Sequence, residues 1–196
     1  MKPIINHDVE IRPLTHLTGE LALSVVTGYT SEFRYTLEKE ESDAEFVIRG
    51  RLERLSEPHT ASYREDFGSE DMSRFLDYLK HGLSFAAYRD DRLAGFAICE
   101  RMDWNRVVRV WEFHVHPDCM RSGVGRMLMN HVAAVAQKNE YRALWLETQN
   151  TNVRAIRFYR SVGFEVETMH TAFYSNHDAD PEPEREAAFF MIRKLE

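Results

Sequence analysis

Between Val108 and Val135 the chain reads strand, glycine-bearing turn and helix with no residues to spare. Val108 to Pro117, V-R-V-W-E-F-H-V-H-P, is branched and aromatic and stops at a proline, which predicts a strand. After it comes Met120-Arg121-Ser122-Gly123-Val124-Gly125-Arg126, and then apolar residues recur at Val124, Met127, Leu128, Val132 and Val135. That three-and-four spacing is a helix buried on one face. A turn of this kind is suited to an anion. Glycine lets the backbone approach closely, and the first N–H groups of the helix point outward at the positive end of its dipole.

The identity of the anion is narrowed by what the loop lacks. A P-loop needs Lys followed by Ser or Thr after its second glycine, and Gly125 is followed by Arg126-Met127. The dinucleotide fingerprint needs three glycines, and this loop has two. Residues 120–125 do resemble the pyrophosphate loop of the GCN5-related N-acetyltransferases, Gln/Arg-x-x-Gly-x-Gly/Ala, at Gly123 and Gly125. They depart from it at Met120. Further on, Leu144 to Glu147 is a short apolar strand, and Asn152, Ala155, Ile156 and Tyr159 share one face of a following helix. The second run resembles the same family's Asn-x-x-Ala-x-x-Phe/Leu-Tyr element with its Gly-Phe, here Asn152, Ala155, Phe158, Tyr159, Gly163 and Phe164. Glu147-Thr148-Gln149, Phe173-Tyr174-Ser175-Asn176 and Glu186-Ala187-Ala188-Phe189-Phe190 resemble the streptothricin acetyltransferase branch. A looser likeness extends to Trp104-Asn105 and to residues 61–66.

The resemblance implies a set of roles. Acetyl-CoA would be held by Met120, Arg121, Ser122, Gly123, Val124, Gly125 and Arg126 at its pyrophosphate, with Phe113, His114 and Val115 pairing its pantetheine arm. The Val115 N–H would face the thioester oxygen. Asn152 would bond the arm from the second helix beside Ala155, Phe158 would pack, and the Tyr159 hydroxyl would meet the thiolate. For Tyr159 the alternative is a core tyrosine. Glu112 and His114 project from one face of their strand and are the candidate bases. The competing reading pairs Glu112 with Arg109 or Arg101. Glu147 is a candidate contact for a cationic substrate, or else it orients Thr148.

Composition bounds the rest. A length of 196 residues suits one domain over 1–196. A formal charge of −7 argues against nucleic acid and would suit a cationic amine. No apolar run is long enough to span a membrane, and Met1 to Leu14 has no signal core, so a cytoplasmic protein is expected. Cys99 lies in an apolar strand and reads as core; Cys119 reads as an inert loop residue. No metal set is evident: His114 and His116 lack a third ligand, and His59, His81 and His177 read as solvated.

In chain order, strands are expected over Val9–Leu14, Phe33–Glu38, Glu45–Leu55, Leu83–Tyr88, Leu93–Met102, Thr168–Ser175 and Ala187–Arg193. Helices are expected over Leu17–Val26 and from Ser69 to Leu79, with loops at Ser56–Phe67 and His177–Glu184. The class is mixed α/β (α+β): a largely antiparallel, twisted central sheet flanked by helices, with an extra N-terminal β-hairpin. The function expected is acetyl transfer to a primary amine of a small cationic molecule, such as a streptothricin-like antibiotic. A protein or polyamine acceptor and a non-catalytic acyl-CoA-binding regulator are the alternatives. The resemblance leaves room for a homodimer paired through late strands.

Overall fold

A computed structural model describes residues 9–64, 67, 69–178, 180 and 185–195. In order, its elements are β1 (Val9–Pro13), α1 (Gly19–Leu23), β2 (Gly28–Glu41), β3 (Phe46–Ser62), α2 (Ser69–Leu79), β4 (Phe85–Arg89) and β5 (Arg92–Met102). Then follow β6 (Val107–Val115), a 3-10 turn (Pro117–Cys119), α3 (Val124–Lys138), β7 (Ala143–Gln149), α4 (Val153–Ser161), β8 (Glu165–His170) and β9 (Ala188–Lys194). The chain divides into two compact units. The first is Met1–Thr27, Tyr63–Trp145 and Lys194–Glu196; the second is Gly28–Ser62 and Leu146–Arg193.

In the first unit, β1, β4, β5 and β6 are successive neighbours, each pair antiparallel. β5 is buried from Leu93 to Cys99 because α2 and α3 both pack on it. That double cover is why its sequence is a continuous apolar run rather than an alternation. Phe96 and Ile98 sit in a core with Leu17, Val26, Phe67 and Phe75. Val124, the first residue of α3, is fully buried against Ala87 and Ala94, which fixes where that helix begins. Cys99 is fully buried, and burial pushes its thiol pKa up, as a core residue requires.

α1 is shorter than the sequence suggests. Thr18 caps it by accepting from the Leu21 N–H at 3.1 Å, and it ends at Leu23. Arg64 then takes up the carbonyls of Leu23 and Val26, at 3.0 and 3.1 Å. The cap expected at Ser69 lies outside the described side chains.

The second unit holds the β2–β3 ribbon and the antiparallel β8–β9 pair. The ribbon is longer than the expected hairpin. β3 runs to Ser62, through what the sequence offers as a loop containing Pro58. A register shift accommodates the proline: Ser31 faces His59 and Phe33 faces Arg54, so the residues around Pro58 leave the ladder. The Tyr35 ring lies 5.4 Å from that of Phe189, tying the ribbon to β9. The late strand forms over 165–170, displaced towards the N-terminus from the expected 168–175. Its continuation is a turn closed by Asp178, which accepts from the N–H groups of Phe173, Tyr174 and Ser175 at 2.6, 2.7 and 2.7 Å. Residues 179 and 181–184 of the expected loop lie outside the described residues.

Candidate active site

In the first unit the glycine loop is built as the sequence indicates. The 3-10 turn after β6 is held by the Cys119 N–H to the His116 carbonyl, and Ser122 donates its hydroxyl to the Cys119 carbonyl at 2.6 Å. Arg121 and Gly123 both take positive φ, 59° and 95°, which turns successive N–H groups into a concave nest. Gly123 is the N-cap of α3, and no side chain caps that end. Among the described residues, a methyl group built on Gly123 would meet nothing within 4 Å, so there is open space beside that residue. The first-turn N–H groups at Val124 and Gly125 have no intrahelical acceptor by geometry. Val124 offers only its backbone here, because its side chain is in the core.

β6 supplies the other half of this unit's site. Trp111 is the extra residue of a bulge, since Val110 faces Cys99 and Glu112 faces Ile98. Its ring stacks on Tyr78, 5.5 Å between centroids and 10° between planes, and its N–H donates to Glu100 at 2.8 Å. Beyond the bulge, the His116 N–H bonds the Ala94 carbonyl of β5. Backbone groups alternate along a strand, so the N–H groups of Phe113 and Val115 point to the edge turned away from β5. β5 comes close on its own side: a Cβ on Gly95 would stand 2.7 Å from the His114 carbonyl.

Glu112 and His114 share a face and bond each other, Oε2 to Nε2 at 2.8 Å, with side chains 20% and 12% exposed. Rings of Tyr63, Phe67 and Phe96 surround the imidazole at centroid distances of 5.9, 5.6 and 5.3 Å. Arg109 lies over the rings of Trp111 and Trp145, and Arg101 pairs with Asp103. A carboxylate and an imidazole in contact within an aromatic surround can accept and pass on a proton.

In the second unit, Asn152 stands one step outside the expected helical face. It is the N-cap of α4, and its side-chain oxygen accepts from the Ala155 N–H at 3.1 Å. Ala155 and Phe158 are half-buried, and Tyr159 is 8% exposed, with its ring 5.4 Å from Phe158 and 5.7 Å from Phe164. Glu147 accepts a hydrogen bond from the Tyr174 hydroxyl.

A polar cluster in this unit has no counterpart in the expectations. Tyr29, Thr151 and His59 all converge on Oε1 of Glu186, with Tyr29 at 2.5 Å and His59 Nε2 at 3.1 Å. His59, expected to be solvated, is 15% exposed and part of this cluster. Its members are far apart in sequence, so no local spacing announces them. The one hint is Glu186, which lies in the C-terminal stretch noted above. Among the described residues, no group of three or more His, Cys, Asp or Glu is arranged to hold a metal ion, and no helix is long and apolar enough to cross a membrane.

Residues 52–164 match the acetyltransferase (GNAT) family. Streptothricin acetyltransferase of Streptomyces lavendulae is 36% identical over 93 residues, which is 47% of this chain and 49% of the relative. The chain therefore spans about half the length of that protein. Streptothricin acetyltransferase A of Bacillus subtilis (strain 168) is 30% identical over 144 residues, 67% of this chain and 80% of the relative. Among solved structures, nourseothricin acetyltransferase superposes with a TM-score of 0.69 at 26% identity, over 96% of this chain and 99% of that one.

Proposed function

The chain belongs to the acetyltransferase (GNAT) family, whose acyl donor is acetyl-CoA, and from that premise we propose that it acetylates a primary amine of a small cationic molecule of the streptothricin kind. The observation that carries the reading is the uncapped N-terminus of α3, with open space beside Gly123. An exogenous diphosphate fits there. The nest at Arg121 and Gly123 offers N–H groups, the helix end adds its dipole, and among the described residues no atom lies within 4 Å of a Cβ built on Gly123. Bound acetyl-CoA supplies an acetyl group activated as a thioester.

The chain's own residues would do the rest. Val124, Gly125 and Arg126 hold the diphosphate with backbone N–H groups. Phe113 and Val115 offer N–H groups on the edge of β6 turned away from β5 to the pantetheine amides, and the Val115 N–H stabilises negative charge on the acyl oxygen. Glu112, hydrogen-bonded to His114, takes the proton of the incoming ammonium so that a neutral amine can attack. Asn152 bonds the pantetheine arm. The Tyr159 hydroxyl gives a proton to the departing sulfur. The acceptor is read as cationic from the relatives' printed substrate and from the chain's negative charge.

The test is release of free thiol from acetyl-CoA in the presence of streptothricin, polyamines, lysine-containing peptides or aminoglycosides, with calorimetry of CoA binding alongside. Turnover confined to streptothricin supports the reading. Turnover confined to peptides or polyamines replaces the acceptor. Binding without turnover across the panel removes the catalytic reading.

A further inference from the structure

We propose that Glu186 is a positioning residue for the donor-binding end of α4, acting through Thr151 on Asn152. The inference rests on the reading that Asn152 holds the donor. The turn Asn150-Thr151-Asn152 is not shaped by the helix it precedes, for Asn152 itself has φ −79° and ψ 60°. It is shaped by side chains. Asn150 is pinned on both sides: its N–H and side-chain oxygen engage the backbone of Ala187 at 2.9 and 2.8 Å, and its side-chain amide donates to the Tyr35 carbonyl at 2.7 Å. Thr151 is fully buried, and its hydroxyl is shared between Tyr29, at 2.5 Å, and Glu186. Asn152 then presents its side chain from a backbone held on its N-terminal side by these bonds and on its C-terminal side by its own cap to Ala155.

Glutamate is suited to this place for a chemical reason. Tyr29, Thr151 and His59 all contact one oxygen, and an anionic oxygen is the acceptor that gains most from several donors. A glutamine there loses the charge and brings an amide that can only donate from one of its two termini. The hydroxyl of Thr151 would be left buried with a weaker partner, and the turn would lose its fixed geometry. The β2–β3 ribbon thereby acquires a task, since Tyr29 and His59 come from its two strands.

The experiment is calorimetric CoA binding to the 196-residue chain and to Glu186→Gln, Asn152→Ala and the double variant. Each single substitution is expected to weaken CoA about tenfold, the equivalent of one lost hydrogen bond. The double variant should be no weaker than Asn152→Ala by more than about twofold, because Glu186 has nothing left to position. Thr151→Val should reproduce Glu186→Gln, and Thr151→Ser, which keeps the hydroxyl, should restore affinity. These Thr151 variants also stand in if Glu186→Gln fails to fold. An additive double variant overturns the proposal, as does a Glu186→Gln protein that binds CoA like the wild type while Asn152→Ala does not. If Asn152→Ala itself leaves affinity intact, the donor reading of Asn152 is the part that fails, and the positioning role falls with it.

Discussion

The two helix N-termini carrying the recognised motifs are built in opposite ways. α3 begins at a glycine with φ 95°, no side-chain cap and open space beside it. α4 begins at Asn152, whose side chain spends itself on the Ala155 N–H, behind a turn braced by Asn150 and Thr151. The first end has no side-chain cap, and the proposed function gives its N–H groups to an anion that arrives from outside. The second consumes them internally, so its helix can contribute only side chains, Asn152 at one end and Tyr159 near the other. The turn at 173–178 shows the closed extreme, with successive N–H groups turned onto the chain's own Asp178. One physical device, a cluster of backbone donors, would thus serve binding at the uncapped end, as proposed above, and stability where it is filled.

The largest effect that could break this contrast is expected at Tyr159. Tyr159→Phe should lower kcat about a hundred- to ten-thousandfold, the range of one proton transfer, while CoA affinity stays within about twofold. A parallel loss of both would show that the capped helix, too, works by binding. Next, Gly123→Val puts a branched side chain at positive φ and into the space an anion would use, and CoA affinity should fall about a hundredfold by calorimetry. Wild-type affinity in that variant would mean the bare end is not the cradle.

Third comes the filled donor cluster. Asp178→Ala should remove about 2–3 kcal/mol of stability, seen by calorimetric melting, and leave CoA affinity untouched. Burial works to raise the Asp178 carboxyl, but bonds from the Ser175 hydroxyl and three backbone N–H groups outweigh it and hold the pKa below the ordinary value. Its folded pKa is therefore depressed. The stabilisation is complete above the unfolded value near about pH 4 and is lost as pH falls through the folded one. Asp178→Asn should flatten that acid limb, and an unchanged limb would assign acid sensitivity to other carboxylates. The smallest effect is expected from Gly123→Asn, since asparagine tolerates left-handed backbone and caps well. Stability should change by only a few tenths of a kcal/mol, while CoA binding weakens severalfold because the cap competes for the same N–H groups. A gain of affinity would contradict the competition.

What could be read from the sequence followed local rules. The strand, loop and helix around Gly123 and the helix from Ser69 to Leu79 depend on spacing within one element, and both form where expected. That Glu112 and His114 share a face follows from alternation along a single strand, and their hydrogen bond to each other is added by the fold. Misreadings arose where distant residues decide the outcome. Pro58 argued for a loop, yet a register shift against β2 lets the strand resume at His59. His59 looked solvated because its partner is Glu186, 127 positions away. Asn152 fits the helical spacing of Ala155 and Tyr159 but caps the helix instead, a difference of one residue that periodicity does not resolve.

The placement of the tryptophans decides how this protein reports on itself. All three, Trp104, Trp111 and Trp145, belong to the first unit. Trp104 is 82% exposed, whereas Trp111 and Trp145 flank the Arg109 guanidinium, 3.4 and 4.8 Å from their ring centroids. Indole emission therefore follows the surroundings of the Arg109 guanidinium on β6 and β7, while the ribbon, α4 and the Asp178 turn carry tyrosines and no tryptophan.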